Sequence, residues 1–230
     1  MTKKRITGAE RRTIILAAAR QVFASQGYEG AKTLDIAKAA QVSEALVYRH
    51  FPSKLALYRA VLRQAFREQD ENWTQLRHAH SGAKGIVHSL FAYFSGILAD
   101  PDGPAQIGYR LNMASLASDG YLASLVYRRS QRLYAKVLQK NYDEARADGD
   151  LIGEPMSVRN LTMFNEHIGS MMNAILRLPF RSTPYDGDRK ALARDATIFC
   201  ARGLGIRDEV FQRYLAEEEL AQVTAAEIKA

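Results

Sequence analysis

The side chains that could do the most specific chemistry lie between residues 44 and 50, where acidic, small, aromatic and basic types share one short segment. They are Glu44, Ala45, Tyr48, Arg49 and His50. Ser43 precedes them and can cap a helix that carries Val47 and Phe51 inward, which leaves the five side chains on its outer faces. A carboxylate can accept a hydrogen bond from cytosine, Arg can bind guanine through two hydrogen bonds, and the Ala methyl can contact thymine. The segment therefore has the chemistry of a helix that reads base edges.

A second short helix is predicted just upstream, and it would hold the first one in place. Leu34, Ile36, Ala37 and Ala40 have the spacing of one buried helical stripe. Residues 33–51 thus predict two short helices joined by a tight turn. This is the geometry of a helix-turn-helix motif, whose second helix enters the major groove of DNA.

The basic charge of the chain is concentrated around this motif. The net charge is +7, but residues 1–63 hold twelve Lys and Arg side chains against four Asp and Glu. The surplus of eight in that segment means that the rest of the chain is slightly acidic. Because phosphate groups dominate the electrostatics of DNA, a basic segment that contains a helix-turn-helix pattern indicates contact with the phosphate backbone.

Composition predicts an all-α protein of the cytoplasm. The sequence shows no strand-like alternation and is rich in residues that favour helices. No apolar run reaches the roughly 18–20 residues that a membrane span needs, so we expect no membrane partner. No apolar segment follows the basic N-terminus as it would in a secretory signal. The single cysteine, Cys200, fits a reducing compartment.

The helical pattern divides the chain into a small and a large domain. We predict a three-helix helix-turn-helix domain at residues 1–60 and a larger helical domain at residues 61–230. Thr7 and Glu10 form a capping box at the start of the first helix, Gly27 ends it, and Ser53 caps a fourth helix. The further helices are expected at about Lys84–Leu98, Pro104–Ala117, Gly120–Ala147 and Pro155–Leu178, then up to Gly203, and finally from a cap at Asp208.

The helix expected up to Leu178 is apolar on more than one side. A helix of this kind must be covered on more than one side, and a second copy of the chain is a natural cover. The alternative is a central helix buried within its own monomer. Gly169 would also permit a close helix approach. We predict a homodimer whose interface includes Leu161, Ile168, Gly169, Met172, Leu176 and Phe199.

A second set of residues in the large domain could form a small-molecule pocket. Its members mix apolar surface with isolated polar groups, as concave binding sites do. They are Tyr109, Asn112, Met113, Tyr127, Phe164, Asn165, His167 and Met171. The alternative for each is an ordinary core or surface position. Their aromatic and methionine content favours a small hydrophobic or aromatic ligand.

No pattern in the sequence indicates catalysis, a metal or a cofactor. His78 and His80 have no third ligand at metal-binding spacing, and Cys200 has no activating base near it in sequence. Glycine-rich phosphate loops and serine nucleophile elbows are missing. We therefore expect a protein that is not an enzyme.

The N-terminal quarter of the chain resembles the TetR/AcrR family of bacterial transcriptional regulators. The resemblance covers roughly residues 10–60 and rests on the combined spacing of many positions. They are Ile15, Ala18, Ala19, Phe23, Gly27, Tyr28, Ile36, Ala37, Val42, Ser43, Val47, Tyr48, His50, Phe51, Lys54 and Leu57. The resemblance implies an N-terminal DNA-binding domain followed by a helical ligand-binding and dimerisation domain.

By this resemblance, five positions would touch DNA, namely Ser43, Ala45, Tyr48, His50 and Lys54. Three departures from the family pattern also matter. Gln41 stands in the turn where Gly is usual, Ala45 stands where the recognition helix usually has Gly, and Ala31-Lys32 replaces a hydroxyl pair. Thr33 can still cap the second helix, and Lys32 could contact a phosphate.

These observations predict a ligand-responsive repressor that binds a palindromic operator on double-stranded DNA as a homodimer and is released by a small inducer. The alternative is a DNA-binding protein of the same fold without an inducer, such as a nucleoid or cell-division factor that acts through a protein partner. Loss of operator binding in the presence of a ligand would separate the two.

Overall fold

The computed structural model describes residues 6–76, 80–99, 104–118, 120–176, 178 and 185–227. Within these ranges the predicted all-α fold is confirmed, since the regular structure consists of ten helices and a single antiparallel bridge between Leu151 and Ile206. The helices are α1 (Gly8–Gly30), α2 (Thr33–Ala39), α3 (Glu44–His50), α4 (Lys54–Leu76), α5 (Gly82–Ala99), α6 (Pro104–Leu116), α7 (Tyr121–Ala147), α8 (Val158–Ile175), α9 (Arg189–Gly203) and α10 (Asp208–Glu227).

The helices are grouped in two compact units. Unit 1 consists of Met1–Glu71 and Asp102–Val126, and unit 2 of Asn72–Pro101 and Tyr127–Ala230. The units do not coincide with residues 1–60 and 61–230, because α6 packs against α1 and so belongs to unit 1. Helices α4 and α7 each run through a boundary and contribute residues to both units.

Helix α1 is the centre of unit 1. The predicted capping box at its start is present: the Thr7 backbone N–H donates to the Glu10 carboxylate at 2.7 Å, and the Glu10 backbone N–H donates to Thr7 Oγ1 at 3.2 Å. Gly27 has a φ of 70° and breaks the helix, a conformation that glycine adopts without steric cost. The side chains that α1 and its neighbours bury completely or almost so include Ile15, Ala19, Phe23, Ile36, Val47 and Leu57. This core positions α2 and α3.

Helix α5 is the centre of unit 2, where it packs against α8, α9 and α10. Its buried side chains include Ile86, Val87, Phe91 and Phe94. A buried hydrogen bond of 2.7 Å from Asn173 Nδ2 to the Ile97 carbonyl oxygen joins α8 to α5. None of the helices in the ranges described above combines the length and the apolar character that a membrane span requires.

Two expected helix starts differ in the structure. Helix α8 begins at Val158 and not near Pro155, with Ser157 in the N-cap position. Asp208 lies in the first turn of α10 and does not cap it, because its carboxylate binds the Arg202 guanidinium at 3.0 and 3.1 Å. Both differences arise at loop–helix junctions, where several neighbouring polar residues compete for the same role.

Candidate nucleic-acid interface

The turn between α2 and α3 is built from a left-handed residue and a side-chain cap. Gln41 has a φ of 53°, and it is the only residue other than glycine with a positive φ in the described ranges. The chain then reverses, with the Val42 N–H bound to the Ala37 carbonyl oxygen at 3.0 Å. Ser43 Oγ accepts a hydrogen bond from the Leu46 N–H at 3.2 Å and so starts α3. The predicted pair of helices and its tight turn are therefore present.

Tyr48 is held in place by a residue of the preceding helix. Its hydroxyl donates to Thr33 Oγ1 at 3.2 Å, which ties the middle of α3 to the first residue of α2. Tyr48 is 45% exposed, whereas Thr33 is 7% exposed. Thr33 was expected to cap α2 and to contact DNA, and both expectations need correction. The N-cap of α2 is Lys32, which makes no side-chain cap bond. The Thr33 hydroxyl is buried and is better placed to orient Tyr48 than to contact DNA itself.

Lys54 is held by residues at the end of α1. Its Nζ lies 4.6 Å from the centre of the Tyr28 ring and donates to the Glu29 carbonyl oxygen at 3.2 Å. Tyr28 in turn packs against Phe23 and Tyr58, at centroid distances of 6.2 and 4.8 Å. An ammonium group has three donors, so this arrangement orients the charge while two donors remain for an anion.

The nine predicted DNA-binding residues differ in exposure. Five are exposed, namely Lys32, Ser43, Ala45, Tyr48 and Arg49; Glu44, His50 and Lys54 are half-buried, and Thr33 is buried. Tyr28 and Glu29 were not predicted as functional, although Tyr28 is part of the pattern that carries the family resemblance. Their contribution is indirect, since they hold the Lys54 ammonium.

The residues predicted to form one ligand pocket are divided between the two units. Tyr109, Asn112 and Met113 lie on α6 in unit 1, where Asn112 is buried. The other five lie in unit 2. There the Tyr127 and His167 rings meet edge to face with centroids 5.4 Å apart. Phe164 and Met171 are more than half exposed.

The predicted dimer residues also fall on two different faces. Leu161, Gly169 and Met172 are buried within unit 2. A Cβ atom added to Gly169 would lie 2.6 Å from the Tyr93 hydroxyl oxygen, so this glycine permits the approach of α8 to α5 and not to a second copy. Ile168 and Leu176 are half-buried, and Phe199 is 67% exposed. The interface assignment of the three buried residues is therefore corrected.

A half-buried acid on α8 was missed by the sequence patterns. Glu166 accepts hydrogen bonds from Ser170 Oγ and from the Tyr93 hydroxyl, both at 3.3 Å. Burial raises the pKa of the Glu166 carboxyl above its ordinary value, although both hydrogen bonds act in the opposite direction. Burial, together with the charge of Glu166, raises the pKa of Tyr134 on α7 to about 12. An acid within an amphipathic helix ordinarily faces solvent, so no sequence signal pointed to this cluster.

The described residues contain no group of three His, Cys, Asp or Glu side chains placed to hold a metal ion. Burial raises the pKa of the Cys200 thiol to about 12, so its thiolate is not populated at neutral pH. Cys200 therefore packs as a small apolar side chain of α9.

The family model for bacterial regulatory proteins of the tetR family matches residues 15–61, the segment that contains α2, α3 and their supporting helices. Residues 15–61 therefore have the sequence pattern of this tetR family. HTH-type transcriptional activator FasR of Mycolicibacterium smegmatis is 42% identical over 86 residues, a match that covers 33% of this chain and 39% of that protein. The match thus spans about two-fifths of the length of this curated tetR-type relative.

Solved structures of tetR-type regulators share the fold along most of the chain. A tetR family regulator from Rhodococcus RHA1 superimposes with a TM-score of 0.66 at 20% identity, covering 90% of this chain and all of that one. AibR in complex with isovaleryl coenzyme A and operator DNA gives a TM-score of 0.64 at 16% identity, covering 83% and 97%. The similarity therefore extends through both units, whereas the family model covers the first alone.

Proposed function

We propose that this tetR family regulator represses transcription in the cytoplasm by binding a palindromic operator as a homodimer, and that a small molecule releases it. The observation that carries the proposal is the surface formed by α3 and the first residue of α4, with two oriented side chains. Tyr48 is fixed by Thr33, and Lys54 is fixed by Tyr28 and Glu29. Both lie in the segment that holds the whole basic surplus of the chain.

The side chains of this surface divide into two kinds of DNA contact. His50 and Lys54 suit phosphate oxygens through their imidazole and ammonium donors. Tyr48 would turn its hydroxyl hydrogen towards a phosphate, while its oxygen accepts from the Thr33 hydroxyl instead. Glu44, Ala45 and Arg49 on the same helix would contact base edges. The phosphate contacts fix the register of α3 in the groove, and the base contacts choose the sequence.

The dimer interface that we propose is formed by exposed apolar side chains of unit 2. Phe164 and Met171 on α8 and Phe199 on α9 are 56%, 55% and 67% exposed. Aromatic and methionine side chains are enriched in interface cores. A two-fold axis would set two α3 helices about one DNA turn apart, roughly 34–36 Å, which suits a palindrome.

The effector is proposed to bind in unit 2 and to favour a dimer whose α3 helices no longer match the operator. AibR, which shares the fold, was solved with both a ligand and operator DNA. Helices α4 and α7 contribute to both units and would carry the change. The curated relative FasR is named as an activator, so a reporter assay must establish the sign of regulation in this protein.

The test uses the intergenic DNA beside the gene of this protein, in fluorescence anisotropy at fixed salt. The double variant Tyr48→Ala/Lys54→Ala should bind about 10- to 100-fold more weakly, because two phosphate contacts are lost. Its salt dependence should also fall by about one logarithmic unit per decade for the lost lysine contact. Arg67→Ala is the matched control, since this exposed residue lies about 20 Å further along α4 and should leave affinity nearly unchanged.

Unchanged affinity of the double variant, or an equal loss in the control, would contradict docking through α3. Circular dichroism of each variant verifies that the fold is kept. Footprinting on the same DNA should show a protected palindrome.

A further inference from the structure

Glu166 is a half-buried acid whose carboxylate is largely removed from solvent. The carboxylate accepts hydrogen bonds from Tyr93 on α5 and Ser170 on α8, and it interacts electrostatically with Tyr134 on α7. No Lys, Arg or His in the part of the chain that the structure describes forms an ion pair with Glu166. A carboxylate that is removed from water without a counter-charge is unfavourable, so such a group is rare in a protein unless it has a function.

A second polar group, on the same face of α7 as Tyr134, lacks a partner. Ser130 lies one helical turn before Tyr134 and is 3% exposed. Its Oγ has no hydrogen-bond partner within the described residues. Since buried hydroxyl groups are almost always paired, this unpaired hydroxyl one turn from Tyr134 indicates a place for a bound molecule.

We propose that this cluster is the polar anchor of the effector site in unit 2, and that it takes a ligand with a protonated or quaternary nitrogen on a hydrophobic or aromatic body. The inference rests on the proposed function, whose effector it describes. The positive nitrogen supplies the counter-charge that no described residue provides for Glu166, since the nearby Arg129 on α7 is coupled electrostatically to Tyr134. The Tyr93 and Tyr134 rings add aromatic surface, which attracts cations.

The acid–base behaviour of Glu166 agrees with this chemistry. Burial raises the pKa of its carboxyl, so the free protein favours the neutral form more than an exposed glutamate would. A bound cation stabilises the carboxylate form and removes the reason for that shift. A bound anion would have the opposite effect, since it would add a second negative charge to a buried site.

The experiment compares ligands of one shape and three charges by thermal shift of the full-length protein. Phenethylammonium, 2-phenylethanol and phenylacetate share an aromatic body, and benzyltrimethylammonium adds a quaternary nitrogen. At saturation the two cations should raise the melting temperature by several degrees, about 5 °C, and the alcohol and the carboxylate clearly less. Glu166→Gln should abolish the advantage of the cations. Asp195→Asn, which removes the same charge from an exposed position of α9, should keep it.

Equal shifts for all charges, a preference for the carboxylate, no shift with either cation, or a cation advantage that survives Glu166→Gln would each overturn the proposal. Glu166→Met serves if the Gln variant does not fold, and the comparison of charges on the unmodified protein stands without any variant. The measurement needs no DNA, so a failure to bind the operator would contradict the proposed function without affecting this result.

Discussion

The two units differ in where the side chains proposed for binding lie. In unit 1 the side chains proposed to contact DNA, such as Tyr48, Arg49 and Lys54, lie at the surface or are half-buried, although the core of that unit also holds Thr33 and Asn112. In unit 2 the side chains proposed to hold the effector are the half-buried Glu166 and the buried Ser130. The aromatic side chains Phe164 and Phe199 lie outside on the same unit.

This difference shows what each unit lacks as a monomer. The polar face of unit 1 is stable in water and becomes a binding site when DNA replaces the solvent. Under the proposed function, a second copy covers the exposed apolar side chains of unit 2, and a cationic effector supplies a counter-charge for Glu166. Unit 1 would then need only DNA as a partner, whereas unit 2 would need a second copy and a ligand.

The largest effect is expected when the apolar exterior of unit 2 becomes charged. The double variant Phe164→Asp/Phe199→Asp would bury two carboxylates in the proposed interface, so self-association should weaken by at least about 100-fold. Sedimentation velocity over a concentration series measures it. Met156→Asp places the same charge at an exposed apolar position in the loop before α8 and should leave the dimer intact.

A double variant that remains dimeric would show that these side chains do not form the interface. The exposed apolar side chains would then no longer distinguish unit 2 from unit 1. Operator affinity measured on the monomeric variant sharpens the result. It should fall steeply, since one α3 helix alone reads half a site.

Two acids of the two units should respond to pH in opposite directions. The backbone hydrogen bond from Thr7 lowers the pKa of the exposed Glu10, and the hydrogen bond with the Thr7 side chain acts in the same direction. Burial, in contrast, raises the pKa of Glu166 from an ordinary value of 4.5. Glu10 therefore contributes stability above its unfolded pKa that is lost as pH falls. The contribution of Glu166 is present below about 4.5 and is lost as pH rises through its folded pKa.

Denaturant unfolding at a series of pH values and one protein concentration tests this contrast. The free energy of unfolding of Glu166→Gln relative to the unmodified protein should rise with pH, by at most about 1.4 kcal/mol per pH unit within that window. Glu10→Gln should show the opposite trend towards low pH. A difference for Glu166→Gln that stays flat with pH would mean that the carboxyl is not buried in solution.

The sequence predicted the helix-turn-helix part of unit 1 well because its structure is determined locally, but it did not predict that α6 also belongs to unit 1. Ser43 caps α3, and the spacing of Ile36 and Ala37 places α2, so both short helices follow from neighbouring residues. The contact between the Tyr28 ring and the Lys54 ammonium could not be predicted, since it joins residues that are 26 positions apart in the chain.

The functional faces of unit 2 could not be predicted in the same way. Helix α8 is apolar on two sides, so its pattern alone does not say which side faces α5. The contact between Gly169 and Tyr93 decides it, and that contact depends on tertiary packing. Glu166 was hidden for the same reason, because its burial comes from α5 and α7 and not from its own helix.

The smallest expected effect concerns the turn of unit 1, where sequence and structure agree most closely. Gln41 adopts a φ of 53°, a left-handed conformation that costs a residue with a Cβ atom on the order of 1 kcal/mol. Gln41→Gly should relieve that strain and raise the free energy of unfolding by at most about 0.5 kcal/mol, after the greater entropy of glycine in the unfolded chain is subtracted. Ala40→Gly is the matched control, because Ala40 is buried and right-handed with a φ of −81°, and there glycine should destabilise by a similar amount. Equal destabilisation by both glycines would show that the turn carries no strain at Gln41. Stabilisation by Gln41→Gly together with destabilisation by Ala40→Gly would show that glutamine at position 41 costs stability. The operator affinity of Gln41→Gly then measures whether the glutamine contributes to DNA binding.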